Sequence, residues 1–259
     1  MSSTEQMQKR ARWWNHRDVR VIGLIWAVLT VLGVVFALIV PGHLMGVSAS
    51  DTMTEVKRTF IVFSVASAPV AALVWALAGY TLWRWRRRGP WSPGDPDGPA
   101  LRGHGWSTGV WMFVSSALCL FLLVWGLAAL SSVDSPASAS ASSPMEIDVT
   151  GQQWVWSFTY PQNGGFETDQ LYLPVDRPVV FKVTSDDVIH SFWVPSMGIK
   201  VDANPGMTTT TQTTPERIGV YQVKCAELCG LLHADMETDA HVVSSAEFAA
   251  WAASGGSSS

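Results

Sequence analysis

Charged residues are scarce in this 259-residue chain, since Asp, Glu, Lys and Arg together make up only 15% of it. Soluble proteins carry about 25%, so the composition argues against a wholly soluble protein and favours a membrane protein. Cysteine is also scarce, with three residues in all, which excludes a small scaffold held together by several disulfides. No patch of basic and aromatic residues occurs outside the flanks of the apolar runs, so nucleic acid is not an expected partner.

Long uncharged stretches are what the chain has instead. Three runs contain no charged residue: Val21–Val40, Phe60–Trp83 and Trp106–Val133. Each reaches the ~20 residues that a helix needs to cross a bilayer. Indole rings mark the lipid–water interface, and tryptophans lie at the ends of these runs, namely Trp13, Trp14, Trp83, Trp85 and Trp106. We therefore predict a membrane domain of three spanning helices over residues 21–133.

Basic residues indicate how these helices cross the membrane. Residues 1–20 form a basic tail, and a second basic cluster lies between the second and third runs. Cytoplasmic segments carry the excess of Lys and Arg, so both are expected in the cytoplasm. The chain after the third run is then external, in a multi-pass protein of the plasma membrane. Residues 131–259 carry 5 Lys/Arg and 15 Asp/Glu, against 12 and 6 in residues 1–130, so the external half is acidic.

The first run has a second interpretation. Its basic flank and the small residues Val47, Ser48 and Ala49 also suit a secretory signal peptide that is removed after export. The run is longer than the roughly 7–15 apolar residues of such peptides, which favours a retained anchor. Both alternatives stay open, and both leave the acidic half outside.

A Ser/Ala/Pro tract, residues 134–144, reads as a linker between the membrane half and an external domain. From residue 145 the hydrophobic period changes to two, in short segments separated by turn signals such as Asn163-Gly164 and Asn204-Pro205-Gly206. Seven strands are predicted: MEIDVTG, VWSFTY, PVVFKVTS, DVIHSFWVP, TTTTQTT, GVYQVKCAE and AHVVS. Residues 145–245 are therefore expected to form a β-sandwich or barrel, followed by a short helix and a disordered tail in 246–259.

A twelve-residue stretch of this domain carries metal-binding side chains. It contains Cys225, Cys229, His233 and Met236, and His190 lies in an earlier strand-like segment. Zinc binds Cys and His but makes little use of a Met thioether, whereas copper accepts all three, so copper is favoured. A mononuclear blue-copper site needs only one cysteine. Two thiolates on one loop can instead bridge two copper ions, each completed by one histidine, with Met236 and a backbone carbonyl as weak ligands; such a site suits electron transfer.

The cysteines also allow a plainer interpretation. In an external domain Cys225 and Cys229 can form a disulfide, with His233 and Met236 as ordinary loop residues. A disulfide does not call for a histidine and a methionine at these spacings, so the metal interpretation is preferred. Cys119, in the third apolar run, is expected to be a small buried hydrophobe.

These motifs resemble the subunit II family of cytochrome c oxidase. The similarity covers residues 60–243 and is strongest in three segments, namely Gly151–Tyr160, Asp187–Ser196 with Gly198–Gly206, and Cys225–Met236. The resemblance implies that the external domain is a cupredoxin-like Greek-key sandwich, and that it holds the dinuclear copper centre named CuA. It also implies a position beside a large haem-copper subunit I and other oxidase subunits in the lipid bilayer.

The resemblance further implies which residues bind copper. The ligands would be His190, Cys225, Glu227, Cys229, His233 and Met236, with Glu227 acting through its backbone carbonyl. The Glu227 carboxylate would bind a Mg²⁺ ion shared with subunit I. Trp154 matches the tryptophan through which electrons enter from cytochrome c. A place in the sandwich core is the alternative for Trp154, because it would share one face of a strand with Trp156.

The implied function is that of subunit II of a cytochrome c oxidase, a respiratory oxidoreductase. It would accept electrons from cytochrome c at CuA and pass them to haem in subunit I, where O₂ is reduced to water. The acidic external half would attract a basic cytochrome c, and the candidates by position are Glu167, Asp169, Asp186 and Asp187.

Two features depart from the family pattern. The usual plan has two spanning helices, whereas three are predicted here. The family also places a Glu near the cytoplasmic start of its second helix, at the mouth of a proton path, but no carboxylate occurs between Asp97 and Asp134. Thr108 lies roughly where that Glu would be. His104 is the nearest titratable group, although one histidine at a helix end needs no special role.

Alternative functions therefore stay open. One is the CuA-bearing subunit of a nitric-oxide reductase, which would use the same copper site. A copper-delivery protein is less favoured, because the sequence has no Met/His-rich tract. A quinol-oxidase subunit is disfavoured, because members of that branch generally lack these copper ligands.

Overall fold

The structure, a computed structural model, describes residues 16–84, 86, 105–134 and 143–256. Most of the basic tail, the loop that contains His104, most of the linker and the last three residues lie outside the described residues. The described residues divide into two units. The helical unit comprises residues up to Gly42 together with Phe60–Trp125, and the β unit comprises His43–Thr59 together with Gly126 onward.

Three long helices account for the three uncharged runs. They are α1 (His16–Leu44), α2 (Asp51–Arg84) and α3 (Gly105–Asp134). All three are long and apolar enough to cross a membrane, as predicted. The second helix starts nine residues before its uncharged run, because the Ser50 hydroxyl caps it by accepting a hydrogen bond from the Met53 N–H at 3.2 Å.

In the helical unit, α1 packs against α2. Gly33 permits close approach, since a methyl group there would lie only 3.2 Å from Cβ of Ala68. The Trp26 indole donates a hydrogen bond to the Pro69 carbonyl at 2.8 Å. The Tyr80 hydroxyl donates to Asp18 at 2.6 Å. These contacts pair the two helices along their length.

The β unit is a sandwich of ten strands. In chain order they are β1 (Met145–Gln152), β2 (Val155–Thr159), β3 (Glu167–Thr168), β4 (Leu171–Pro174), β5 (Val179–Ser185), β6 (His190–Val194), β7 (Ile199–Ala203), β8 (Thr209–Thr213), β9 (Gly219–Cys225) and β10 (Glu237–Val243). One sheet has the order β3-β2-β1-β5-β8 and the other β4-β10-β9-β6-β7. The chain crosses between sheets several times, which is the mixed Greek-key arrangement of the predicted cupredoxin-like class.

Alternating burial explains why these segments form the sandwich. In β1 the side chains of Ile147 and Val149 are fully buried, and in β5 those of Phe181 and Val183 are. Their neighbours along each strand face outward. Opposite sides of a strand thus meet core and solvent, as the period of two requires.

All seven predicted strands are present, but three others were not predicted. β3 has two residues and β4 ends in a proline, so neither carries a readable alternation. β7 lies within the segment Gly198–Gly206, which contributed to the family resemblance but was not predicted as a strand. The predicted short helix is α4 (Ser245–Ala253), capped by the Ser244 hydroxyl, which accepts from the Glu247 N–H at 3.2 Å. Residues 254–256 form a turn after this helix, in which the Gly256 N–H donates to the Trp251 carbonyl at 3.2 Å.

The connection between α1 and α2 packs into the β unit, although it was predicted as part of the membrane domain. We refer to residues 45–53 as the connecting segment. Ala49 and Ser50 are fully buried. The Ala49 N–H donates to the Ser196 carbonyl and its carbonyl accepts from the Glu216 N–H, both at 2.8 Å. The segment therefore behaves as an added edge of the sandwich.

Candidate metal centre

The loop between β9 and β10 forms one side of the site. Cys225 ends β9, and Met236 directly precedes β10, which pairs antiparallel with β9. The Cys225 N–H donates to the Met236 carbonyl at 3.0 Å and closes the loop. The strand pair thereby fixes both ends of the segment that carries the cysteines.

His190 comes to this loop from a different part of the chain. It is the first residue of β6, which pairs with β9 so that Phe192 lies opposite Cys225. The Ala226 N–H donates to the Ser191 carbonyl at 2.9 Å and holds the start of the loop against β6. Sheet pairing thus brings together residues that are 35 positions apart.

The two sulfurs lie at the middle of the cluster, with the Cys225 and Cys229 Sγ atoms 3.9 Å apart. Each sulfur has an imidazole nitrogen beside it. Nδ1 of His190 lies 3.8 Å from Cys225, and Nδ1 of His233 lies 3.5 Å from Cys229. The Met236 Sδ lies 3.8 Å from the Cys229 Sγ. The Glu227 carbonyl oxygen lies 3.2 Å from the Cys225 Sγ. All six residues that the sequence singled out as ligands therefore converge.

The chemistry of this donor set fits a soft metal. His190, Cys225, Cys229 and Met236 are buried. Burial, and after it the neighbouring Cys225, raise the pKa of the Cys229 thiol to about 11. Two thiolates this close together therefore need a cation between them at neutral pH. Two thiols, two imidazoles and a thioether form a set that copper accepts and zinc does not fully use.

Asp187 orients His190, a role that the sequence analysis missed. Oδ1 of Asp187 lies 2.9 Å from Nε2 of His190, and Oδ2 accepts from the Gln153 N–H at 2.8 Å. Burial alone would raise the pKa of Asp187. The hydrogen bonds from Gln153, His190 and Val188 outweigh it and lower that pKa to about 2. Asp187 was predicted only as a surface acid for partner attraction, whereas here it is bonded to the site. A carboxylate three residues before a ligand histidine was the available signal.

The two tryptophans of the β1–β2 hairpin lie in different environments. Trp156 is in β2, is 2% exposed, and packs edge-on against His190 with ring centroids 6.0 Å apart. Trp154 is in the two-residue turn before β2, so the two do not share a strand face as expected. A methyl group on Gly230 would lie 3.3 Å from Cζ2 of Trp154. The Trp154 ring therefore lies on the backbone next to Cys229.

The surface around the cluster exposes apolar side chains as well as acidic ones such as Glu227 and Asp235. Leu228 and Leu231 in the loop are 78% and 89% exposed, and Val155 beside Trp154 is 56% exposed. We call Val155, Leu228, Leu231 and Leu232 the apolar rim. Glu227 is exposed while its carbonyl faces Cys225. Glu167, Asp169 and Asp186 are exposed and reach no ligand through a described contact.

Comparisons with known proteins point to the same family as the sequence motifs. Residues 165–243 match the family model for the periplasmic domain of cytochrome c oxidase subunit II. A cytochrome c oxidase subunit 2 of Alkalihalophilus pseudofirmus is 34% identical over 192 residues, which are 72% of this chain and 54% of the relative. A quinol oxidase subunit 2 of Bacillus spizizenii is 26% identical over 226 residues, covering 86% of this chain and 70% of the relative.

Among solved structures, the periplasmic domain of subunit II of the cytochrome oxidase (CoxB) of Bradyrhizobium japonicum is 35% identical. It covers 44% of this chain and 94% of that chain, with a TM-score of 0.43. The present chain spans about half the length of the Alkalihalophilus relative. The family match falls on the sandwich that carries the donor cluster, and the relatives extend the similarity into the helices. The chain therefore belongs to the cytochrome c oxidase subunit II family.

Proposed function

We propose that this protein is the electron-accepting subunit of a haem-copper terminal oxidase. Its external domain would hold a dinuclear copper centre, take electrons singly from a cytochrome c, and pass them to haem in a separate large subunit that reduces O₂ to water. The observation that carries the proposal is the convergence of Cys225 and Cys229 with one imidazole nitrogen beside each sulfur. When bound, a pair of copper ions held by these residues would accept and release one electron at a time.

The chain's own residues prepare this site before any metal binds. His190 and the cysteines come from strands whose pairing is fixed by backbone hydrogen bonds. Asp187 is ionised at neutral pH and accepts only, so Nε2 of His190 is its donor and Nδ1 is left to face the metal. This strand pairing would keep the buried donors in place when the charge of the site changes, which favours fast electron transfer.

Electrons would enter through Trp154. Its ring contacts the Gly230 backbone directly after Cys229, so a short path leads from the protein surface to a ligand. Trp156 is buried against His190 and suits a core position instead. The exposed apolar rim supplies a contact surface for the donor cytochrome, and the net acidic charge of the external half would guide a basic donor from a distance.

The remaining proposed roles concern the Glu227 carboxylate and the three helices. The Glu227 carboxylate is exposed beside the cluster, so it is free to bind a Mg²⁺ ion at a boundary with the large subunit. The three helices would anchor the chain in the plasma membrane with its N-terminus in the cytoplasm and the copper domain outside. Other oxidase subunits and lipid would surround them.

A nitric-oxide reductase is the second candidate, and one observation favours it. The first turn of α3 contains no acidic residue, so the carboxylate that would open a proton path into an oxidase is missing there. A copper-delivery role has less support, because the donor set is enclosed by strands rather than displayed on the surface. A quinol-oxidase role has the least support, because it would assign no function to this set of metal-binding side chains.

Copper content and gas consumption together test the proposal. The full chain purified in detergent is expected to bind two copper ions and to give a mixed-valence electron paramagnetic resonance signal with both ions equivalent. One copper per chain would contradict the dinuclear site. The complex purified with its large subunit should oxidise reduced cytochrome c with O₂ consumption. Consumption of NO but not O₂ would identify the second candidate.

A further inference from the structure

Gln153 lies at a junction of the candidate centre. It is the first residue of the two-residue turn between β1 and β2, directly before Trp154. Its side-chain Nε2 donates a hydrogen bond to the Cys229 carbonyl at 2.7 Å. Its backbone N–H donates to Oδ2 of Asp187 at 2.8 Å. One residue is thus bonded to both segments that supply donors to the cluster.

Asp187 extends this link to the histidine. Its second oxygen, Oδ1, lies 2.9 Å from Nε2 of His190. The hairpin turn, the His190 strand and the cysteine loop are therefore joined by three hydrogen bonds that pass through Gln153 and Asp187. The two bonds to the Asp187 carboxylate have a charged acceptor, which makes them stronger than bonds between neutral groups.

Trp154 has no comparable anchor of its own. Its indole N–H is buried and has no hydrogen-bond partner among the described residues. The ring rests on Gly230, where a methyl group would lie 3.3 Å from Cζ2 of Trp154, 3.4 Å from its Nε1 and 3.0 Å from Nε2 of Gln153. The absence of a side chain at 230 therefore lets both residues reach the loop, and the ring depends on its neighbour for its position.

We propose that Gln153 is a positioning residue for electron acceptance. By clamping the hairpin turn to the Cys229 carbonyl, it holds the Trp154 ring at contact distance from the backbone that leads to the copper ligands. The inference rests on the proposed function of Trp154 as the place where electrons enter. It adds that the side-chain amide of Gln153 sets the electronic coupling between the Trp154 ring and the copper ligands.

The test replaces the amide without removing bulk. Gln153→Met in the full chain deletes the bond to Cys229 but keeps the backbone bond to Asp187. Electron uptake from reduced cytochrome c in stopped flow should slow roughly tenfold, since displacements of about 1 Å are costly at reacting centres. Copper content and the resonance signal should stay as in the unmodified protein. Gln152→Met is the matched control, because Gln152 is exposed and no contact of its side chain is described.

A double-mutant cycle shows whether Gln153 acts through the ring. In a Trp154→Phe background, Gln153→Met should slow uptake much less than it does alone, because the two changes interrupt the same path. Equal slowing in both backgrounds would overturn the proposal. Unchanged uptake in the single variant, or loss of copper from it, would also overturn it.

Hydrogen exchange in the copper-free full chain tests the clamp independently of the donor. Gln153→Met should speed exchange of the amides in residues 226–233 and of the turn at 152–155, whereas Gln152→Met should not. If the unmodified protein binds copper but takes no electrons from cytochrome c, the proposed function fails while this measurement still reports the clamp. Exchange that is equal in all three proteins overturns the clamp whatever the donor is.

Discussion

Asp187 and His190 are three residues apart and are in direct polar contact, with Oδ1 of Asp187 2.9 Å from Nε2 of His190. The remaining ring nitrogen, Nδ1, then lies 3.8 Å from the Cys225 sulfur. A carboxylate outside the donor set therefore decides which nitrogen of the ligand faces the metal.

Asp187→Asn should weaken copper binding by about 10–100-fold, the range typical of outer partners of ligand histidines. An amide can present its NH₂ group as well as its oxygen, so the ring loses a strong acceptor and a fixed orientation. Competition against a copper chelator measures the change. Asp186→Asn is the control, since no hydrogen bond of that neighbour's side chain is described, whereas Asp187 contacts His190. Equal affinity in the two variants would show that Asp187 does not orient the ring.

The cysteines and the methionine should differ sharply in their effects. Cys225→Ser or Cys229→Ser is expected to abolish the mixed-valence signal, because each sulfur would bridge both ions. Met236→Leu should keep two copper ions and shift the reduction potential, since a weak axial ligand tunes a site more than it holds the metal. Metal analysis and resonance spectra of the full chain distinguish these outcomes. A signal that survives either serine variant would exclude the bridged arrangement.

Replacing the two tryptophans of the hairpin should affect different properties: the rate of electron uptake for Trp154 and the stability of the domain for Trp156. Trp154→Gln is expected to slow electron uptake by orders of magnitude, with copper content and salt dependence nearly unchanged. Trp156→Ala should cost about 3–5 kcal/mol of unfolding free energy, because it empties a buried site. Uptake rate and melting temperature are compared for both variants. The reverse pattern would mean that the two roles are exchanged.

Gly198 tests the docking of the connecting segment. Its φ is +67°, and a methyl group there would lie 2.9 Å from Cα of Met53. Gly198→Ala should lower the melting temperature for two reasons. An alanine in the left-handed backbone conformation costs roughly 1–2 kcal/mol, and its methyl group would clash with Met53. Gly206→Ala is a matched control, because Gly206 has φ +72° with open space around it. Equal losses in the two variants would show that the segment contributes nothing at this contact.

Glu216 should make stability depend on pH. Burial, and then the nearby Asp51 and Asp176 carboxylates, raise the pKa of Glu216 above its ordinary value. The folded protein then holds a proton that the unfolded chain has lost, so stability falls as pH rises from the unfolded to the folded pKa. Glu216→Gln should therefore melt higher than the unmodified protein at pH 7, with little difference near pH 4. A Glu167→Gln control should show no such gain. An equal gain at both pH values would point to another cause.

Much of this protein is determined locally by its sequence. A run of this length without charge specifies a spanning helix, because a helix satisfies the backbone polar groups of a single segment within lipid. Alternating side chains specify a strand with one buried face, as in β1 and β5. Cys225, Cys229, His233 and Met236 belong to one short loop, so their spacing alone brings the donors close and indicates the metal.

The tertiary structure decided everything that depends on which segments meet. His190 reaches the cysteines only because β6 pairs with β9. Hydrophobic periodicity indicates which residues share a face of a strand, but not which strand lies beside it. The contact of Asp187 with His190 and the bond of Gln153 to the Cys229 carbonyl likewise exist only in the folded chain. Trp154 and Trp156 differ because one lies in the turn and the other in the strand. The connecting segment joins the sandwich through backbone hydrogen bonds, which leave no pattern in the sequence because any residue can make them.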